Sequence, residues 1–334
     1  MIPAYNAERW LDETISSALG QTWAKKEIII VNDGSRDGTL AVARKYESAA
    51  VKVVTQENRG ACNARNRALT LAQGDYIQWL DADDVLAPDK ISIQLNRSNC
   101  SPDDRAMLTS AFGTFFFRRE KAIFIPNSLW QDLEPTEWIM RKFTDNVWFN
   151  PTTWLVSRKL TELAGPWDER LTSSGDDDGE YVCRVVSLSE RVLFIPDAKC
   201  YYRVGNLGSL NWKSTKSLEP LFHSLSLSID RLRVLEDSKR TRAAGVQLLQ
   251  WWLPYFYPDR DGMLIKINKL ANNLGGDLAP LDLGWKYNWI QKIFGWKIAM
   301  TAISKWRKSK MLLMKNWDKL LYHIGKRRKA GLWS

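Results

Sequence analysis

Over the first hundred residues, short apolar runs alternate with amphipathic stretches. Ile28–Asn32, Val51–Gln56 and Tyr76–Leu80 read as buried strands, and Ala7–Leu19, Thr39–Tyr46 and Ala61–Ala72 as the helices between them. Strands interleaved with helices in this way predict a mostly parallel sheet covered by helices. The opening Met1-Ile2-Pro3 reads as the last fragment of a strand, and the natural start is expected to lie upstream. Residues 107 to 204 mix strand-like runs (Met107–Phe117, Thr153–Ser157, Arg191–Ile195, Cys200–Val204) with helix candidates at Pro135–Phe143 and Asp178–Leu188. From about Ser214 onward strand signals vanish and helical periodicity rich in Trp and Lys takes over. The organisation expected is an α/β domain over 1–210 followed by a helical, basic region over 211–334.

With 334 residues, 45% apolar and 26% charged, the chain can bury a sizeable core, which excludes disordered and disulfide-scaffold classes. Cys62, Cys100, Cys183 and Cys200 form no Cys-x-x-Cys pair, so reduced thiols in a cytoplasmic protein are expected. The longest uncharged run is shorter than the ~20 residues a spanning helix needs, and neither a spanning helix nor a secretory leader is expected. Charge is uneven: residues 285–334 hold 13 Lys or Arg and one acid, a balance of +12, out of a net +10 for the whole chain. A near-neutral body with a basic tail argues against nucleic acid as partner and for a local anionic contact by the tail.

Three strand-to-helix junctions carry the chemistry. In Trp79-Leu80-Asp81-Ala82-Asp83-Asp84 an apolar strand runs into three carboxylates, beyond the carboxyl ends of the strands where open α/β sheets bind ligands. Alternation puts Asp81 and Asp83 on one side of an extended chain, where both can face a hard cation such as Mg²⁺ or Mn²⁺. The bland alternative is a solvated turn, with Asp84 and Asp89 capping a helix. Asn32-Asp33-Gly34-Ser35-Arg36-Asp37-Gly38-Thr39 is a second acidic turn, in which Ser35 or Asp37 can cap and Asp33 sits level with Asp81. In the third, Asn58-Arg59-Gly60 leads into a helix bearing Arg65, which could reach back toward phosphate.

Together with Pro3-Ala4-Tyr5-Asn6, these segments resemble glycosyltransferase family 2 in order and spacing. The resemblance implies the GT-A fold, a Rossmann-like α/β sheet flanked by helices, and an inverting, metal-dependent glycosyltransferase using a nucleoside diphosphate sugar. It implies that Pro3, Tyr5, Glu8, Asp33, Arg65 and Asp81 line the nucleotide site and that Asp83 ligates Mn²⁺ or Mg²⁺. It extends to Gly165-Pro166-Trp167-Asp168-Glu169-Arg170-Leu171, which puts Trp167 and Asp168 at the substrate, and to Asp176-Asp177-Asp178-Gly179-Glu180 with Arg184. Aligning Glu180 and Arg184 places Asp178 on the family's catalytic base, with Asp177 beside the substrate. Two departures stand out: no histidine follows Tyr202-Arg203, where Ser209 comes later, and Gln250-Trp251 lacks the arginine of processive synthases. Transfer of one sugar per acceptor, a glycan or lipid-linked glycan, is therefore expected.

Beyond about residue 210 the resemblance ends. Trp289, Ile293, Trp296, Met300 and Ile303, then Met314, Trp317, Leu321 and Ile324, recur at helical spacing, with Lys297, Lys305, Lys308, Lys315, Lys319 and Lys326 off the stripe. Such a helix suits either packing on the body or an anionic membrane surface, peripheral on the inner face of the plasma membrane. Two rival functions are a sugar-phosphate nucleotidyltransferase, which would want a Gly-rich, basic phosphate loop after the first strand, and a non-enzymatic module binding membrane or nucleic acid.

Overall fold

Three strands, β1 (Ile2–Ala4), β2 (Ile28–Asp33) and β3 (Val51–Gln56), run parallel with β2 central. The computed structural model describes residues 1–172, 174–205, 218–257, 262–281 and 285–330, without the side chains of 285–289, 297 and 326–330. All six residues of β2 are buried, as expected of a run of branched apolar residues covered on both faces. Helices α1 (Glu8–Leu19), α2 (Thr39–Arg44) and α3 (Ala61–Leu71) make the crossovers. Ile29 and Val31 meet Ala64 and Ala68 of α3 on one face, and Ile28 and Ile30 meet Leu11 and Ile15 of α1 on the other.

The next strand is shorter than its apolar run suggests. Only β4 (Tyr76–Ile77) pairs as a strand, yet the Leu80 amide donates to the Met1 carbonyl at 3.0 Å, which carries 78–80 alongside β1. The second sheet is mixed. It is built from β4, β5 (Val85–Leu86), β6 (Ala106–Phe115), β7 (Ile123–Phe124), β8 (Leu155–Ser157) and β9 (Arg191–Arg203). β6 and β9 run parallel, whereas β4 with β8, β5 with β9, and β6 with β7 and β8 are antiparallel. The two runs at 191–195 and 200–204 belong to one bulged strand. Its register against β6 jumps between Ser110 and Ala111, so that Ile195 and Lys199 face neighbouring residues.

Helices α4 (Lys90–Ser98), α5 (Pro135–Thr144), α6 (Arg158–Ala164) and α7 (Asp177–Leu188) complete the body. Helices α8 (Glu219–Leu235), α9 (Lys239–Trp252) and α10 (Met263–Asn273) share its core, since Leu225, Ile229 and Leu249 cluster with Tyr181, Val182 and Trp138. The boundary expected near residue 210 lies outside the described residues. A last helical run, α11 (Trp285–Ala330), is broken at Gly295, whose φ of 78° interrupts helical geometry. All four cysteines are free thiols.

One buried lysine braces the joint between the sheets. Lys90 is fully buried, and its Nζ donates to Gln78 Oε1 at 2.5 Å and Gln94 Oε1 at 2.8 Å. Burial pushes its pKa down from 10.5 to about 7. The unfolded chain then holds this proton throughout the alkaline range and the folded chain does not, so stability is lost as pH falls from about 10 toward 7. Lys90→Met strips both glutamine oxygens of their donor, at about 1–3 kcal/mol for each buried acceptor left unsatisfied. Melting curves from pH 6 to 10 should show the variant's deficit largest at pH 10 and shrinking toward pH 7.

Candidate active site

The loops after β1, β2 and β3 are tied together at the carboxyl ends of those strands. Asn6, at a φ of 49°, donates its amide to Ser35 Oγ at 3.0 Å and accepts from the Arg36 amide at 2.9 Å. Glu8 accepts from the Gly38 amide at 3.0 Å, and Asp37 accepts from the Thr39 amide at 3.0 Å just ahead of α2, whose cap position is Gly38 and carries no side-chain bond. Asp33 is 3% exposed, and both of its oxygens are engaged. Oδ1 accepts from the Arg59 amide at 3.0 Å and from Gln56 Nε2 at 2.8 Å, and Oδ2 accepts from the Gly60 amide at 2.8 Å. Its carboxylate therefore shapes the loop that starts α3. Gly60 is required there: its φ is 91°, and a Cβ would sit 1.9 Å from Thr172 Cγ2. Pro3 lies in β1 opposite Val31, and Tyr5 is 41% exposed on the rim.

The three acids after Leu80 have three different environments. Asp84 is fully buried. Its Oδ1 accepts from the Arg203 amide at 2.9 Å and its Oδ2 from Thr152 Oγ1 at 2.9 Å, and it anchors the turn instead of capping α4. Asp89 occupies the position before α4 without a side-chain capping bond. Burial, then the charges of Asp83 and Asp81, push the Asp84 carboxyl well above the usual range. Asp81 and Asp83 remain partly exposed at the turn. The backbone carbonyl of Asp83 accepts from Arg203 Nε at 2.9 Å. Arg203 is itself buried between Trp10 and Phe115, with its guanidinium 4.2 and 4.3 Å from their ring centres.

Arg65 joins this turn to α7. Its Nη1 donates to Asp177 Oδ2 at 2.8 Å and its Nη2 to Asp81 Oδ1 at 3.2 Å, from a buried position. The guanidinium lies 4.3 Å from the centre of the Trp167 ring, which stacks in turn on Tyr181 at 3.9 Å. Burial opposes the arginine's charge, but Asp177 and Asp81 outweigh it and hold the proton more tightly than usual. Next to this pair, burial pushes the Asp178 carboxyl up to about 8, reinforced by Asp177 and Asp176 and opposed by Arg65 and Lys142. Asp176 accepts from Ser224 Oγ at 3.0 Å and ties α7 to α8. Glu180 forms a two-pronged ion pair with Arg184, at 3.0 and 2.9 Å, one turn along the helix.

The profile of Glycosyl transferase family 2 matches residues 1–157. Residues 1–157 belong to that family. The chain is 33% identical over 129 residues to a cholesterol galactosyltransferase of Borreliella burgdorferi, covering 37% of this chain and 36% of the relative. It is 37% identical over 97 residues to the Escherichia coli UDP-Glc:alpha-D-GlcNAc-diphosphoundecaprenol beta-1,3-glucosyltransferase WfgD, covering 29% of this chain and 38% of that one. The chain thus spans little more than a third of these relatives' lengths. In fold it is similar to S. aureus TarS 1-349 in complex with UDP, with a TM-score of 0.58 and 19% identity over 87% of this chain and 77% of that one.

Within this family 2 domain, the two expected substrate contacts at 167 and 168 also have structural partners. Trp167 is 1% exposed, because its ring is sandwiched between Arg65 and Tyr181, where it serves as a platform for Arg65. Asp168 caps the short turn Glu169–Leu171 through the Arg170 amide at 3.0 Å, and the Arg170 guanidinium holds its carboxyl below the usual range. Asp177 is taken by Arg65. Tyr202 and Arg203, singled out in the sequence only as the pair that no histidine follows, also reach the site. Burial first, then the charges of Asp84, Asp83, Asp81 and Asp178, hold the Tyr202 phenol well above its usual range.

For a divalent cation, the donor set decides the fit. Among the described residues no group of three or more His, Cys, Asp or Glu side chains is arranged to hold a metal. Asp84 is withdrawn by Thr152 and Arg203, and one Asp81 oxygen by Arg65. A cation held by one or two carboxylates and completed by substrate phosphates fits this arrangement, as is usual for Mg²⁺.

Proposed function

We propose that this chain moves a hexosyl group, with inversion, from a nucleoside diphosphate donor to a hydroxyl of a glycan or lipid-linked glycan. The observation that carries the reading is the Arg65 bridge between Asp81 and Asp177, which brings the acidic strand end and the start of α7 together around Asp178. An anomeric carbon held there would gain a bond to the acceptor oxygen and lose its bond to the diphosphate. Asp178 would take the acceptor's proton, a task suited to a carboxyl whose pKa of about 8 lies near working pH. Mn²⁺ or Mg²⁺ held by Asp83, with Asp81 beside it, would neutralise charge on the diphosphate. The relatives' names, which include transfer to a sterol and to a diphosphoundecaprenol-linked sugar, support an acceptor hydroxyl on or near lipid. The uridine nucleotide bound by TarS supports a uridine diphosphate donor.

The same reading puts the enzyme on the cytoplasmic side, peripheral on the inner face of the plasma membrane through residues 285–334. No helix among the described residues is long and apolar enough to cross a membrane. Incubating the chain with UDP-, GDP- and dTDP-sugars tests the chemistry. Release of nucleoside diphosphate from one nucleotide class with Mn²⁺, suppressed by EDTA, is the expected result. No release from any donor would overturn it. So would pyrophosphate release from a nucleoside triphosphate and a sugar phosphate, the mark of a nucleotidyltransferase.

A further inference from the structure

The apolar stripe read along the tail divides into an inward and an outward part. Ala299 and Ile303 are buried, and Trp296 packs against Tyr257 with ring centres 5.3 Å apart, so these positions face inward, whereas Ile293 is exposed. Further along, the same helix is held to the body by one edge. Asp318, the only acid of residues 285–334, accepts from the amides of Phe117 (2.9 Å) and Arg118 (3.2 Å) and from Arg118 Nε (2.7 Å). Lys315 Nζ donates to the Gly205 carbonyl at 2.6 Å, and Tyr322 meets the Phe117 ring. At 100° per residue, positions 315, 318 and 322 define this docked edge.

The opposite side is apolar and uncovered. Trp306, Leu313, Met314, Trp317, Leu320 and Ile324 fall within an arc of about 120° on that geometry, and they are 64, 72, 51, 63, 51 and 42% exposed. Basic residues flank the arc: Lys305 on one side, Arg307 on the other. Lys310 lies within it. From these observations we propose that the outward face of α11 between Trp306 and Ile324 is a membrane-docking surface that lies in the interface of an anionic bilayer, with the catalytic body on its other side. The inference gives the residues of the membrane contact named above, and it does not depend on the transfer chemistry.

Charge selects lipid over a second copy of the chain. Seven-residue spacing of Trp306, Leu313 and Leu320 could in principle form a helix pair, but the flanks would then set cations against cations. The single acid that could pair with them is held by Arg118. An anionic leaflet instead attracts each flanking lysine or arginine while the Trp and Leu side chains bury among the acyl chains.

Co-sedimentation of the full chain with vesicles of equal parts phosphatidylglycerol and phosphatidylcholine tests this. Binding is expected at 50 mM salt, weaker at 500 mM, and much weaker to phosphatidylcholine alone. Leu313→Ser with Trp317→Ser should lower the partition at least roughly tenfold while donor hydrolysis is unchanged, because neither residue touches the site. Wild-type chain that stays in the supernatant at low salt, or a double variant that binds as well as wild type, overturns the proposal. A dimer in light scattering that the double variant dissociates would assign the face to self-association instead. Intact hydrolysis alongside failed binding sinks only the membrane surface; intact binding without hydrolysis of any donor sinks only the transferase reading.

Discussion

Asp178→Asn should cut turnover by roughly 10²–10⁴-fold and leave donor affinity nearly unchanged. The amide still holds an acceptor hydroxyl but cannot take its proton. Because the wild-type carboxyl titrates near 8, the active, ionised fraction grows as pH rises, and wild-type turnover should climb toward a plateau above about pH 8. The residual rate of the variant should lack that limb. Stability moves the other way. A carboxyl raised from 3.8 to about 8 favours the folded state at low pH, and that contribution is lost as pH rises toward 8. The variant, with no charge to bury beside Asp177 and Asp176, should therefore melt above wild type at pH 9. Full activity in Asp178→Asn would move the base to Asp177 or Glu180, although each of those already has an arginine partner.

Asp83→Ala should abolish transfer and remove the dependence of nucleotide binding on Mn²⁺, with the fold retained. The turn around Asp83 is held by main-chain and neighbouring groups. The Asp84 amide donates to the Asp81 carbonyl at 3.1 Å, the Arg203 guanidinium binds the Asp83 carbonyl, and Asp84 anchors the loop from below. Removing a partly exposed carboxylate leaves all three in place, so the melting temperature should shift little. Titration of UDP in the presence and absence of Mn²⁺ reads the effect directly. Donor affinity in the variant equal to wild type with Mn²⁺ present would mean that Asp83 holds no cation. Asp84→Ala should behave in the opposite way, losing stability first, because it leaves the Arg203 amide and Thr152 hydroxyl unpaired in the interior.

Much of the first half was legible in the residue pattern because its determinants are local. An apolar run flanked by turn residues is enough to define β2 and β3, and the alternation of strands with amphipathic helices already implies parallel crossovers. The order of the acidic turns places Asp33 and Asp81 at strand ends for the same reason. Spacing alone did not distinguish Asp81, Asp83 and Asp84, three carboxylates in four residues. Their roles diverge because Arg65, Thr152 and Arg203 reach them from elsewhere in the chain.

The sequence by itself determined the parallel strands β2 and β3 with the helices between them, the acid-rich strand end and the basic character of the tail, since periodicity and composition are properties of neighbouring residues. Tertiary structure alone decided the rest. Arg65 and Asp177 are 112 residues apart, and their pairing, with Trp167 buried beneath it, exists only once α3 and α7 meet. The apparent tail stripe was likewise a property of one helix considered alone. Which of its faces is core and which is surface was set by Asp318 reaching Phe117 and Arg118, some 200 residues earlier. Long-range contacts of this kind carry no signal in local spacing, because either face of an amphipathic helix can be covered and only the body it lands on selects one.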